Sequence, residues 1–454
     1  MTYPPLESLE VKDGSVETHA NACSAVAADF GHLVSHVPSA VIRPGSVADI
    51  VAVLRWAADH GVHVAARGSG HSMNGQSQVD AGVVVDMTSL REVHTVQRDR
   101  IVVDSGARWS TVLSATLPLH LVPPALPDHL ELTVGGTLSV GGVGGMSFRY
   151  GAVTDNVLEL DVVTGDGRLV TCSPTQHADL FDLVRAGLGQ YGVIVRATLR
   201  LVAAHDTVRC YRLGYHDIAT FTDDQRLLID ERTTSYLEGY AKFSDTGRQR
   251  YEVELATYDS TLAQDRVVLN RLRHSRDLVE VEEFGYGAFL DRLAPGVAAR
   301  TDAGEWTWPH PWLNVFLPSS AAGQILGHVM AELTAADFDN FGLVLVYPIP
   351  TSSLRTPLLR TPDDPVTFLL ALLLTADIAD PLAVDRMHTR NTRLYELSRS
   401  VGGSLYPVGV PSLTPAGWKA HFGASWAEVT AGKAAWDSQR ILTPGPGIDP
   451  TKNR

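Results

Sequence analysis

The sequence predicts an α+β fold, on three observations. Strand-like and helix-like segments interleave between residue 37 and about residue 204. An antiparallel hairpin signal sits among them. The G-x-G-x-x-G fingerprint of a purely doubly wound sheet is missing where the first glycine loop would carry it.

Each element follows from local chemistry. Ser46 followed by Asp49 reads as a capping box with Asp in place of Glu. Ile50, Val53, Leu54, Ala57 and Ala58 then share one helical face. Gly61 closes that helix as a left-handed cap. Residues 62–66 read as a strand, 67–72 as a loop, and 83–85 and 101–103 as buried strands. The apolar runs 157–164 and 168–172 flank Gly165-Asp166-Gly167, a hairpin signal. From about residue 205 to 405 the segments are longer and more mixed. No long polar linker separates the two regions, which predicts that they pack closely.

Composition excludes several classes. Of 454 residues, 44% are hydrophobic and 19% charged, the texture of a globular chain with a sizeable core rather than a disordered one. A net charge of −14 repels phosphate backbones, which speaks against nucleic acid and for a neutral or cationic small molecule. Cys23, Cys172 and Cys210 are three in number and not at metal-ligand spacing, so neither a disulfide scaffold nor a metal site is expected. The N-terminus lacks a secretory pattern, and the longest apolar run, 368–375, falls short of the roughly 20 residues a membrane span needs. The expectation is a cytoplasmic protein without membrane contact.

Three glycine-rich stretches carry the chemistry. The first is Arg67-Gly68-Ser69-Gly70-His71-Ser72, continuing to Gly75 and Gln76. Its glycines permit positive φ, and successive N–H groups of such a turn can cradle anionic oxygens. The second runs from Thr133-Val134-Gly135-Gly136-Thr137-Leu138-Ser139 through Gly145, with six glycines in eleven positions from 135 onward. The third is Gly187-Leu188-Gly189-Gln190-Tyr191-Gly192-Val193-Ile194. Such density costs folding entropy, and three such stretches in one region favour an extended cofactor lying across several loops.

These motifs, in this order, resemble those of the vanillyl-alcohol-oxidase-like FAD-linked oxidases, and the Gly-His-Ser form resembles their cytokinin dehydrogenase branch. Pro123-Pro124 with Asp128, Asn156 to Gly165, Ala178 to Asp182, Tyr236-Leu237-Glu238-Gly239, Ala288 to Arg292, Pro309-His310-Pro311-Trp312-Leu313-Asn314, Val346-Tyr347-Pro348 and Ile441 to Gly445 carry the resemblance along the chain. It implies a two-domain fold. An FAD-binding domain of two small α/β subdomains would span 1–204. A substrate domain with a large antiparallel sheet flanked by helices would span 205–405. A C-terminal segment, 406–454, would return to the first domain.

The resemblance also implies roles. His71 would bond covalently to FAD. Arg67, Gly68, Ser69, Gly70, Ser72, Gln76, Asp128, Thr133, Gly136, Ser139, Gly192, Val193, Ile194 and Tyr406 would contact the cofactor. Asp128 and Glu238 would be catalytic, Asp128 accepting a hydrogen bond from the substrate side-chain N–H and Glu238 meeting an adenine ring. Trp306, Asn314 and Tyr347 would join them in binding substrate. The implied reaction oxidises the N6 side chain of a cytokinin of the isopentenyladenine type to adenine and an unsaturated aldehyde, with a quinone or oxygen as electron acceptor. A bacterial source is expected.

Three departures matter: Pro446 stands where the family usually has Gln, so that a C-terminal contact to the flavin is lost or rebuilt, while Pro407, where Leu is common, and Ile349-Pro350, where Leu-Asn is usual, touch the substrate pocket. Two alternatives stay open. One is a related covalent flavoprotein oxidase acting on another amine, an alcohol or a sugar. The other is a flavin- or purine-binding protein without turnover. No cysteine lies in 133–145 to provide the second anchor of sugar-acting relatives, and both Asp128 and Glu238 are present.

Overall fold

The computed structural model describes residues 6–244, 246–338 and 342–448. The helix Val47–His60 shows how closely sequence dictates local structure. Ser46 Oγ accepts from Asp49 N at 3.3 Å, and Gly61 closes the helix at φ 65°. The reciprocal half of the capping box is replaced. Asp49 is one methylene shorter than Glu, and its carboxylate takes the N–H groups of Gly45, Lys12 and Asp13 instead. The strand expected at 62–66 runs over Val64–Arg67, because Val62 N is still held by Ala57 O in the helix cap.

Four sheets result. The first has the order Ser15–Glu17, Ala40–Arg43, Val83–Asp86, Val64–Arg67. Its last three strands are parallel, joined by the helical crossover that parallel pairing needs. Val83–Asp86 is buried throughout, and its three valines read as a continuous apolar run for that reason. The second sheet, five antiparallel strands, includes the hairpin of Val157–Val163 with Leu169–Cys172, turned at Gly167 with φ 72°. A two-stranded ladder pairs Val202–Ala203 with Leu121–Val122.

The largest sheet has eight antiparallel strands drawn from residues 207–405. Its edge strand Val279–Gly285 exposes Glu280, Glu282 and Glu283, charges that discourage further pairing. The helices Ile218–Glu231, Ser319–Glu332 and Ala383–Ser400 cover one face. The other face, through Tyr236, Phe316, Tyr347 and Leu369, shares a core with Leu126, Leu138 and Met146 of the first region. The candidate site lies along that shared core.

The chain end returns to the first sheet. Val64 N donates to Ile441 O and Thr443 N to Val64 O, each at 2.8 Å. Buried Lys433 donates to Gln190 O and Leu442 O and pairs with Asp437 at 2.7 Å. All three cysteines are free and buried. Among the described residues no helix is long and apolar enough to cross a membrane.

Candidate active site

The three glycine stretches converge on one short helix, Val134–Val140. Strand Val64–Arg67 delivers the loop 67–72 to the start of this helix, where a Cβ on Gly68 would run into Thr133 Oγ1. Gly70 sits at φ 71° with the Arg67 guanidinium where its Cβ would be. At the helix end, Ala186 N donates to Leu138 O and Leu188 N to Ser139 O, both at 2.9 Å, which docks the third stretch.

The loop is braced from behind. Asp29 Oδ2 accepts from Ser72 Oγ at 3.0 Å and from Gly75 N at 2.6 Å, and Ser69 Oγ donates to Glu131 O at 2.6 Å. Gln76 Oε1 accepts from Asn74 N at 2.9 Å. The backbone N–H groups of residues 69–72 take no acceptor among the described residues. The N–H groups opening the helix are spent on Ala107 O, Ser105 O and Thr133 Oγ1. An anionic pyrophosphate therefore fits the loop rather than the helix terminus. Thr133 and Ser139 use their hydroxyls within the helix, Ser139 on Gly135 O at 2.8 Å. Gly192 packs against Val162, and Val193 and Ile194 are buried opposite Val163 and Val162.

His71 leaves the loop into a stack of rings. Phe30 lies between His71 (3.9 Å, 16°) and His310 (4.1 Å, 19°). Trp306 and Trp312 approach His71 at 5.9 and 6.1 Å, and His129 at 5.0 Å. His71 Nε2 is buried without a hydrogen-bond partner. Burial, with the nearby His129 and His310 rings, lowers the His71 pKa to about 3, so the imidazole is neutral and its lone pair available. Burial likewise takes His310 down to about 4.

Asp128 precedes His129 and faces a different wall. Its Oδ1 accepts from Tyr236 OH at 2.9 Å and Arg292 Nη2 at 3.2 Å. Glu238, on the strand Tyr236–Phe243, is buried. Its Oε2 accepts from Tyr240 OH at 2.7 Å and lies 3.9 Å from Arg292 Nη2, while Oε1 has no partner. Arg292 is itself buried, stacked over Tyr236 and Phe289 at 4.6 Å each, and paired through Nε with Glu254 at 3.2 Å. Burial foremost, then the Asp128 charge, pushes the Glu238 carboxyl well above the usual carboxylate range.

Of the other predicted residues, Tyr347 is buried on the sheet face beside these acids. Tyr406 OH accepts from Gly142 N at 3.1 Å, and Tyr406 N donates to Asn314 O at 2.9 Å. Asn314 Nδ2 is buried without a partner. Pro446, where a glutamine was expected, gives its carbonyl to Trp418 Nε1 at 2.7 Å. Ile349 and Pro350 close a strand paired with Thr367 and Val366.

Sequence reasoning missed Arg292, Tyr240, Glu254, Phe30 and His129 as site residues. Arg292 stood in a recognised motif, and the signal was an arginine three residues after the buried Phe289. Phe30 had no sequence signal, being separated from His71 by 41 positions. Away from this site, Glu92, His94 and Asp104 bring ligand-type atoms within 4.8 Å of one another. There His94 Nε2 and Asp104 pair at 2.6 Å, with Arg196 3.6 Å from the same carboxylate.

Comparison with known proteins agrees with this geometry. Residues 38–173 match the family described as FAD binding domain, and 241–448 match the family described as cytokinin dehydrogenase 1, FAD and cytokinin binding. The chain is 41% identical to an uncharacterised oxidoreductase, ORF5 in the fasciation locus of Rhodococcoides fascians, over 93% of this chain and 96% of the relative. It is 36% identical to cytokinin dehydrogenase 8 of Oryza sativa subsp. indica, over 93% and 90% respectively. A crystal structure of 6-hydroxy-D-nicotine oxidase from Arthrobacter nicotinovorans shares the fold, with a TM-score of 0.74 over 97% of this chain and 99% of that one at 18% identity.

Proposed function

This chain belongs to the cytokinin dehydrogenase family of FAD-dependent oxidoreductases, and from that premise we propose that it oxidises the N6 side chain of cytokinin-like adenines. The observation that carries this reading is a single step in the chain. Asp128 turns to a wall of polar groups, while the ring of the next residue, His129, lies 5.0 Å from His71 of the glycine loop. A carboxylate acceptor thus sits beside the loop suited to the cofactor.

The loop 67–72 would hold the FAD pyrophosphate through its N–H groups, and neutral His71 would form the covalent link to the ring. When bound, FAD supplies the hydride acceptor. Asp128 accepts the hydrogen bond of the substrate's side-chain N–H and takes that proton as the adjacent carbon gives up its hydride. The C–N single bond becomes an imine. Water then adds, the C–N bond breaks, and adenine and an unsaturated aldehyde leave. Glu238 would meet the purine ring, and Asn314 and Trp306 would be further substrate contacts. A quinone or oxygen takes the two electrons onward.

The test is anaerobic mixing of the purified yellow protein with isopentenyladenine. Bleaching of the visible flavin band with stoichiometric release of adenine is the expected result. A yellow protein that stays yellow redirects the substrate to another amine or an alcohol, for which Pro407 and Ile349-Pro350 in the pocket region would be the reason.

A further inference from the structure

Behind Asp128 the structure packs three carboxylates against two guanidiniums. Glu254, buried on the strand Gln249–Tyr258, takes Arg292 Nε at 3.2 Å and Arg212 Nε at 3.1 Å, one on each oxygen. Asp128 takes Arg292 Nη2 at 3.2 Å. Arg212 also faces Glu280 and Glu282 at 3.9 and 3.6 Å. The positive charge is thereby committed. Glu238 has Arg292 Nη2 no nearer than 3.9 Å from Oε2, one phenol donor, Tyr240, on that same oxygen, and a buried Oε1 without a partner among the described residues. The other titratable groups facing it are the acids Asp128 and Glu254, whose charges oppose a further one, Arg292, which the three acids share, and the phenols Tyr236 on its own strand and Tyr347 on the strand Leu343–Pro350. A third negative charge here would be desolvated and uncompensated, which costs more than holding a proton.

We propose that Glu238 is a protonated carboxylic acid in the resting enzyme, that Arg292 is the positioning residue that pairs with the neighbouring Asp128 and Glu254, and that Glu238 meets its ligand as an O–H donor through Oε1. The two acids then divide the work: Asp128 accepts, Glu238 donates. The ligand atom this selects is an acceptor in the plane of a neutral heterocycle, such as an unprotonated ring nitrogen of a purine. Two acids held apart in protonation by their surroundings are a recurrent way of assigning acid and base roles at one pH. The direction in which burial and Asp128 shift Glu238 agrees. The protonation pattern stands on this chain alone, and the identity of the ligand rests on the reading above.

The decisive experiment is infrared difference spectroscopy of the FAD-loaded protein against Glu238→Gln at neutral pH, in water and deuterium oxide. The expected difference is loss of a deuterium-sensitive protonated-carboxyl C=O band. Loss of ionised-carboxylate bands instead overturns the proposal. Arg292→Lys, which keeps a positive charge beside these acids, should leave the band in place. If Arg292→Lys does not fold, the Glu238→Gln difference still decides. Isopentenyladenine affinity, followed by calorimetry, should weaken about tenfold as alkaline pH ionises Glu238. Weakening on the acid side instead would mean an ionised acceptor and refute the donor role. A protein with the band that does not bind isopentenyladenine would retain the protonation pattern and overturn the substrate assignment.

Discussion

Around His71 the side chains are rings that are neutral near pH 7, whereas around Arg292 they are acids, phenols and guanidiniums, and consecutive residues Asp128 and His129 join the two walls. The ring wall loses little on drying, because flat apolar surface is what burial rewards. The polar wall must neutralise itself internally, and it does so with one buried arginine shared between acids. A flat redox ring suits the first wall, and a substrate with directional donors and acceptors suits the second. The strongest way to break this division is Asp128→Asn. If Asp128 is the proton acceptor, turnover falls about a hundredfold to ten-thousandfold, while the yellow colour stays. Little stability should be lost, since Arg292 can turn its charge toward Glu238, 3.9 Å away. Stopped-flow reduction and thermal melting check both. Unchanged turnover would move the chemistry off this wall.

The next effect belongs to the ring wall. His71→Ala should release all flavin on acid precipitation and lower stability by about 1 kcal/mol through loss of the stack on Phe30. Acid-stable flavin in this variant would put the link elsewhere. In the flavin-free wild-type protein the ring should also stay neutral through ordinary acid conditions. Its folded pKa, about 3, lies below the unfolded 6.5, so its stabilising contribution is present above 6.5 and lost as pH falls toward 3. A histidine NMR titration in which His71 protonates near 6.5 would contradict the dry stack.

A third prediction separates the walls by the sign of their pH response. Glu238 has its folded pKa above the unfolded 4.5, so wild type loses stability as pH rises beyond 4.5. Glu238→Gln should therefore raise the melting temperature at pH 8, by about a degree or two, and leave it unchanged at pH 4. A variant equally stabilised at both values would place the effect in packing rather than in charge.

The same contrast explains what the sequence could reveal. The helix Val47–His60, its Ser46 and Gly61 ends, the hairpin at 157–172 and the three glycine stretches are all written in contiguous residues, and each is where the pattern puts it. Capping, periodicity and turn chemistry act over a few positions, so one window of sequence contains their cause. The order of the eight-stranded sheet and the arginine at the centre of the polar wall have no such window. Arg292 reaches Asp128 across 164 positions and Glu254 across 38, and only the fold makes that one charge scarce among three acids. Phe30 is invisible for the same reason. Asp128 and Glu238 were legible through motif resemblance, but the raised carboxyl of Glu238 was not, because it arises from burial and from the Asp128 charge that only the folded wall brings beside it.

The smallest effect sharpens the boundary between the walls. Trp306 is half-buried and touches both His71 and Phe30 with its ring, at 5.9 and 4.7 Å. If it belongs wholly to the ring wall, Trp306→Phe preserves an aromatic contact and costs under about 1 kcal/mol of stability, with KM for isopentenyladenine within about threefold of wild type. If instead its indole N–H meets the substrate, the phenyl ring cannot replace that donor, and KM rises about tenfold with kcat preserved. Steady-state kinetics on this one variant therefore decide whether Trp306 belongs to the flavin wall or reaches across to the substrate.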